Sequence, residues 1–321
     1  MANGQSILLH QYDASPFAEK VRLALRLKNL AWGKIDIPTI MPKPDLMPLT
    51  GGYRRTPVLQ IGADIICDTG LILRELEKRF PDPQLVTSGQ EGTHMMISSW
   101  TDRQWFPTSV GIVFGSNVDR IPDALKADRE AMTGRKYSGD ALKDRLPMLM
   151  GQWRAQLQWI EHRLEAGRGA GAGAWLFGSK PGMSDVHAHM NIWFVRRNVP
   201  DFAKACLSEA PRTQDWFDRL SEAKGQTPED VSAEDALAIA KDAAPRLLAA
   251  SVGTEPQGFR PGERIAISPD DTVPNWVTGE LVSAQPNKIT LFKVDGAIES
   301  LHIHFPRAGY LIRRAEEIDK P

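Results

Sequence analysis

The sequence predicts an α+β multi-domain protein: an alternating βαβ-ββα unit first, an all-α helical unit second, and a small C-terminal β barrel or sandwich last. Three observations predict it. Short apolar strands alternate with helical patterns from Ser6 to about Phe80. From about Glu91 to Ala250 the pattern is helical, with almost no strand-like alternation. Beyond Thr254-Glu255-Pro256, short β-like runs are separated by Pro, Gly, Asn and Asp. The breaks give expected domains at residues 1–82, 90–250 and 258–321, the first boundary marked by Pro81-Asp82-Pro83.

Ile7-Leu8-Leu9 is a continuous apolar run suited to a central strand ending at His10. Val21, Leu23, Ala24, Leu25 and Leu27 then supply the apolar side of a helix opened by Ser15-Pro16-Phe17-Ala18. Trp32 to Ile37 reads as a second strand. Pro38 to Gly52 carries four prolines and reads as an irregular loop. Val58 to Ile61 and Asp64 to Ile66 form a hairpin around Gly62-Ala63, and Asp68 to Arg79 a capped helix.

In the middle unit, Ser232-Ala233-Glu234-Asp235 starts a last helix to about Ala250. Gly167 to Gly173 is glycine-rich, but no strand precedes it and no Gly-Lys-Ser/Thr follows, so it is not read as a phosphate loop. The tail carries five β-like runs: Ile265 to Ile267, Trp276 to Val282, Ile289 to Val294, Ser300 to Phe305 and Tyr310 to Arg313. A unit of about sixty residues holds little core of its own, so the tail is expected to dock on the helical domain or a second subunit.

The chain has 321 residues, 42% apolar and 25% charged, with net charge −1. No basic field marks it for nucleic acid or an anionic membrane, which leaves a small-molecule partner. Two cysteines, Cys67 and Cys206, exclude a disulfide framework or a four-cysteine zinc site and fit a reducing compartment. No apolar run approaches the ~18 residues that span a bilayer, and Met1 to Gln5 lack the regions of a signal peptide. The expected location is cytoplasmic.

Ser15-Pro16-Phe17-Ala18 at a helix start, Thr56-Pro57-Val58-Leu59 at a strand entrance and Asp68-Thr69 at a second helix start describe a thioredoxin-like domain. On these motifs residues 6 to 250 resemble a glutathione transferase, of the serine-type classes close to tau and omega. The resemblance implies a cytoplasmic, homodimeric detoxification enzyme with glutathione as cosubstrate. It does not extend to the tail.

The resemblance implies that Ser15 holds the glutathione thiolate. Lowering a thiol pKa from ~8.5 by two units requires about 2.7 kcal/mol. A helix N-terminus supplies about 0.3 to 1 kcal/mol and a hydrogen bond to a charged group about 1.5 to 3. Ser15 is equally suited to be a helix cap. Tyr12 is the rival hydroxyl, or simply a strand-end aromatic. The omega-class cysteine is absent at position 15, so thiol transfer through a mixed disulfide is not expected.

Pro57 is expected to be cis, with Val58 presenting its backbone to the cysteinyl unit; the plainer reading is a strand's first residue. Asp68 and Thr69 replace the family's Glu-Ser and keep groups for the γ-glutamyl ammonium and carboxylate, or merely cap the helix. Lys43, Arg54 and Arg55 are candidates for the glycyl carboxylate. Phe17, Trp100, Trp105, Phe106 and Phe114 are candidates for an apolar substrate pocket, although any one of them suits a core equally. Pro181-Gly182-Met183-Ser184-Asp185-Val186 resembles the family's structural capping motif, with glycine where the capping hydroxyl belongs. No metal is expected. His187 and His189 face different directions on a helix, and His302 and His304 share a strand face without a nearby third ligand.

The leading reading is therefore a transferase in which Ser15 activates glutathione against an electrophile, by conjugation, ether cleavage or dehalogenation. The alternative is a non-catalytic binding or scaffold protein that docks a protein partner through its β tail.

Overall fold

The computed structural model describes residues 6–87, 89–137, 139–169, 174–248, 255–295 and 298–318. The first unit runs β1 (Ile7–Gln11), α1 (Pro16–Leu27), β2 (Gly33–Asp36), α2 (Met47–Thr50), β3 (Val58–Ile61), β4 (Asp64–Cys67) and α3 (Thr69–Arg79). β1 is buried throughout because strands flank both its edges, β2 in parallel and β3 antiparallel, and β3 pairs antiparallel with β4. Val21 and Leu25 of α1 and Leu71, Ile72 and Leu76 of α3 cover one face of this sheet. The proline-rich loop contains one turn of helix, α2, closed by Gly51 at φ +65°; a Cβ there would stand 2.8 Å from Val277 of the tail.

The helical part comprises α4 (Glu91–Trp100), a π-helical segment Thr101–Trp105, α5 (Phe106–Ser116), α6 (Asp123–Thr133), α7 (Gly139–Gly169), α8 (Met183–Asn198), α9 (Pro200–Ser208) and α10 (Pro211–Ser221). Trp105, Trp153 and Trp216 are fully buried in its core. At the start of α8, Asp185 accepts bonds from the Gly182 and Leu176 amides and from Trp216 Nε1, at 2.8, 2.9 and 2.6 Å. This carboxylate makes the half of the capping box that a glycine N-cap still allows, accepting from the N-cap amide. Gly167 to Gly169 close α7, and residues 170–173 of the glycine-rich stretch lie outside the described residues.

Helical character is not continuous toward Ala250: it breaks after Ser221 and ends at Asp242, and residues 249–250 lie outside the described residues. After α10 the chain returns to the sheet: β5 (Glu229–Asp230) pairs in parallel with β2, and α11 (Ala233–Asp242), capped by Ser232, buries Ala236 and Ala240 in the core beneath that sheet. A two-residue strand is too short to leave a periodic signal.

The tail folds into five strands as expected: β6 (Arg264–Pro269), β7 (Val277–Gln285), β8 (Lys288–Asp295), β9 (Ile298–Pro306) and β10 (Tyr310–Arg314). β9 runs parallel to β4, with Asp64 opposite His302 and Ile66 opposite His304, so one sheet has the order β10-β6-β7-β8-β9-β4-β3-β1-β2-β5. The expectation that the tail docks on the helical domain or a second subunit is corrected here. Its main support is the thioredoxin-like sheet: Ile265, Val277, Leu291, Ile303 and Phe305 share one apolar core with Leu8, Ile35, Val58 and Ile65. The tail thereby gains a core that its own length cannot enclose.

Candidate functional site

The β1–α1 turn is closed by the Ser15 amide donating to the Tyr12 carbonyl at 3.0 Å. Ser15 Oγ caps α1, accepting from the Ala18 amide at 3.1 Å, and the residue is buried. Capping and thiolate binding are compatible, because a hydroxyl that accepts one bond still has a proton to donate. The Tyr12 ring lies 5.8 Å from Lys43 Nζ, and its hydroxyl accepts from Arg129 of α6 at 3.4 Å.

The Thr56–Pro57 peptide is cis. Val58 stands between His10 of β1 and Cys67 of β4, so the sheet flanks the residue from which the sequence reading draws backbone groups for a ligand.

At the end of β4, Asp68 adopts φ +75° and caps α3, its Oδ1 accepting from the Gly70 amide at 2.8 Å. Its neighbours come from three parts of the chain. Lys20 of α1, fully buried, donates to Thr69 Oγ1 at 3.3 Å and pairs with Asp102 at 2.5 Å. Asp102 lies in the π-helical segment, a local widening that is often found at functional sites. Tyr310 of β10 donates to Asp68 Oδ2 at 3.3 Å, and its oxygen lies 2.9 Å from that of Tyr53. Burial, and next the Asp102 carboxylate, push the Asp68 carboxyl above its ordinary range. Besides Lys20, the Arg55 and Arg74 guanidinium groups act on Asp68, so cations face this carboxylate from several sides.

The opposite charge gathers behind Tyr12. Lys43 Nζ donates to Thr56 Oγ1 and to the Arg54 carbonyl, both at 2.9 Å. Arg54 and Arg129 both pair with Asp128 of α6. Three cations against one carboxylate leave an excess of two positive charges. Burial, then Arg129 and Arg54, pull the Lys43 ammonium down to about 8. Arg55 is engaged elsewhere, donating to Asp271 and Thr272 of the tail. A cavity of ≈ 170 Å³ lies among Tyr53, Arg54, Arg55, Met132 and Val273. A larger one of ≈ 620 Å³ opens at the far side of the tail beside Arg264 and Arg314, away from this constellation.

Of the aromatic candidates, Phe17 packs edge-on against Phe106 at 4.5 Å, and both are partly buried. Trp105 is fully buried between Trp100 and Trp153, so it belongs to the helical core and not to a pocket wall. Trp100 is held by the Gln156 side chain, and Phe114 packs on Tyr137.

A family model described as glutathione S-transferase, N-terminal domain, matches residues 9–84. A GST-like protein from Pseudomonas syringae of known structure is 33% identical, with TM-score 0.73, over 96% of this chain and 99% of its own. The chain belongs to the glutathione S-transferase-like family. Because that match leaves only a small remainder uncovered, the Pseudomonas protein shares most of the β tail as well. Other family folds are more distant and shorter. A glutathione S-transferase from Rhodospirillum rubrum is 18% identical over 67% of this chain and 88% of its own, TM-score 0.52. Glutathione transferase GSTFuA3 from Phanerochaete chrysosporium is 19% identical over 69% and 98%, TM-score 0.56. The search of curated proteins finds no match. Among the described residues, no helix is long and apolar enough to cross a membrane.

In this family member, sequence reasoning missed Lys20, Asp102, Asp128, Arg129 and Tyr310. Only Lys20 left a local trace, a charge on the apolar side of α1; the others meet the site through tertiary contacts. The expectation that His302 and His304 lack a third ligand also fails, because Asp64 lies against both. His187 and His189 are fully buried in α8.

Proposed function

We propose that the protein binds glutathione along the line from Asp68 to Lys43 and that Ser15 stabilises its thiolate for attack on a small, apolar electrophile. The observation that carries this reading is the layout of charged groups, with the Asp68 and Asp102 carboxylates at one end and the Lys43, Arg54 and Arg129 cations at the other. The tripeptide is complementary, with its ammonium at one end and its glycyl carboxylate at the other. Thr69, Lys20 and the N-terminus of α3 suit the γ-glutamyl carboxylate. Arg55, already paired with Asp271, supports the loop and does not contact the ligand. Val58 forms a wall of the cysteinyl subsite.

Near Ser15, the N-terminus of α1 and the hydroxyl proton both favour negative charge on sulfur. The Tyr12 hydroxyl, bonded by Arg129, serves the positive end of the site. Phe17 and Phe106 flank the electrophile. Conjugation, ether cleavage and dehalogenation share this thiolate and differ in the leaving group. The test is the ultraviolet absorbance of bound thiolate against pH. Wild type lowers the glutathione pKa, and Ser15→Ala returns it toward its free value; an unchanged curve in the variant overturns the serine role.

A homodimer in the cytoplasm is part of the proposal. With the β4 edge filled by β9, its interface falls on the helical domain, where Met96 and Trp159 are 67% and 49% exposed. A monomeric mass by sedimentation at micromolar concentration would contradict it.

A further inference from the structure

The seam between the thioredoxin-like sheet and the tail carries a second constellation, independent of the glutathione site. β9 presents His302 and His304 on one face, two residues apart, and its parallel register brings β4 Asp64 directly opposite His302. All three residues are buried, and one ligand atom from each lies within 4.8 Å of the others. Asp64 Oδ1 is 3.0 Å from His304 Nε2 and 3.9 Å from His302 Nδ1. Ligands about 2.1 Å from a tetrahedral ion stand roughly 3.4 Å apart, a spacing these two distances bracket.

Both rings are oriented from behind. His304 Nδ1 bonds Thr290 Oγ1 at 3.0 Å, which leaves Nε2 facing Asp64. The His302 ring is held by a hydrogen bond with the Arg246 backbone, and its Nδ1 is left buried with no hydrogen-bond partner. Metal-bound imidazoles are held in this way, one nitrogen fixed by an outer partner and the other turned to the ion. The Asp64 carboxylate is similarly divided: Oδ2 takes a bond from Arg79 at 3.1 Å and Oδ1 turns to the histidines. Lys288, the other nearby cation, is neutralised by Glu75 at 2.9 Å.

We propose that Asp64, His302 and His304 form a binding site for a divalent transition-metal ion of the zinc class, which clamps the tail strand to the edge of the thioredoxin-like sheet. Two imidazoles and one carboxylate match the borderline-soft ions, with water as fourth ligand. The ion links strands from opposite ends of the chain, so its effect appears in stability. The site lies on the strand that precedes Asp68, and the clamp steadies the unit that carries Tyr310 to that residue.

The test uses the full chain, stripped with chelator and titrated with zinc chloride by calorimetry, with thermal unfolding followed in parallel. The expected result is one zinc per chain at micromolar affinity and an unfolding midpoint raised by several degrees. His302→Ala should weaken binding at least tenfold and abolish the shift, while replacement of the exposed His162 by alanine leaves both unchanged. Cobalt provides a measurement on the wild type alone: intense visible bands are expected from four-coordinate ion with imidazole ligands. No zinc binding by wild type, equal binding by His302→Ala, or only the weak spectrum of hydrated cobalt would each overturn the proposal.

Discussion

The Tyr310 hydroxyl, at the start of β10, donates to Asp68 Oδ2 at 3.3 Å across 242 positions of sequence. The tail is thereby part of the site wall. Tyr53, whose oxygen lies 2.9 Å from that of Tyr310, extends the chain of polar groups into the loop before the cis proline.

Tyr310→Phe should destabilise the protein by about 1 to 3 kcal/mol, the cost of leaving buried polar partners unsatisfied. It should also raise the Kd for glutathione, because Asp68 loses a donor that favours its ionised form. Urea unfolding and calorimetry measure the two effects; unchanged stability would show that the contact is not made in solution.

Lys20 is fully buried and Asp102 partly so, and loss of one partner leaves the other's charge uncompensated. Lys20→Met is expected to cost about 3 kcal/mol, the lower end of values for broken buried pairs, with much of the loss restored in Lys20→Met/Asp102→Leu. Guanidinium unfolding of the wild type, single and double variants decides it.

Ser15 has two roles that can be separated. Ser15→Ala should cost about 1 kcal/mol through loss of the α1 cap. Ser15→Gly is tolerated at an N-cap and should cost only a few tenths of a kcal/mol, yet it lacks the hydroxyl proton and should lose turnover. Activity retained in Ser15→Gly would reduce Ser15 to a cap.

Lys43 gives a pH signature. Its folded-state pKa of about 8 lies below the ordinary lysine value of 10.5, so between these limits the unfolded chain holds a proton that the folded chain has released. This contribution makes stability rise with pH across that window, while the full cost is present below it. A carboxylate ligand favours the charged amine, so binding of S-methylglutathione near pH 8.5 should take up protons. Calorimetry in buffers of different ionisation enthalpy detects the uptake, which Lys43→Met should remove.

The thioredoxin-like elements were legible because each has a local cause. The Ser15-Pro16 cap, the alternating apolar runs and the Asp68 cap are all written within a few residues. The five tail strands were legible for the same reason. The joining of β9 to β4 was not, since parallel pairing across 238 positions leaves no local pattern. This one unread pairing explains most of what was missed: the shared core, Tyr310 at Asp68, and Asp64 beside the two histidines. The positive end of the site was half legible. Lys43 and Arg54 lie in the loop already suspected, whereas Asp128 and Arg129 arrive from a helix that has no buried apolar residue to mark its inward face.

The measurement that bears most directly on the account is calorimetric titration of reduced glutathione into the wild type and into Asp68→Asn, which keeps the shape of the α3 cap and removes the charge. The predicted result is micromolar to low-millimolar binding by the wild type, weakened at least tenfold in the variant. No binding by the wild type, or equal binding by both proteins, would contradict a glutathione site at Asp68.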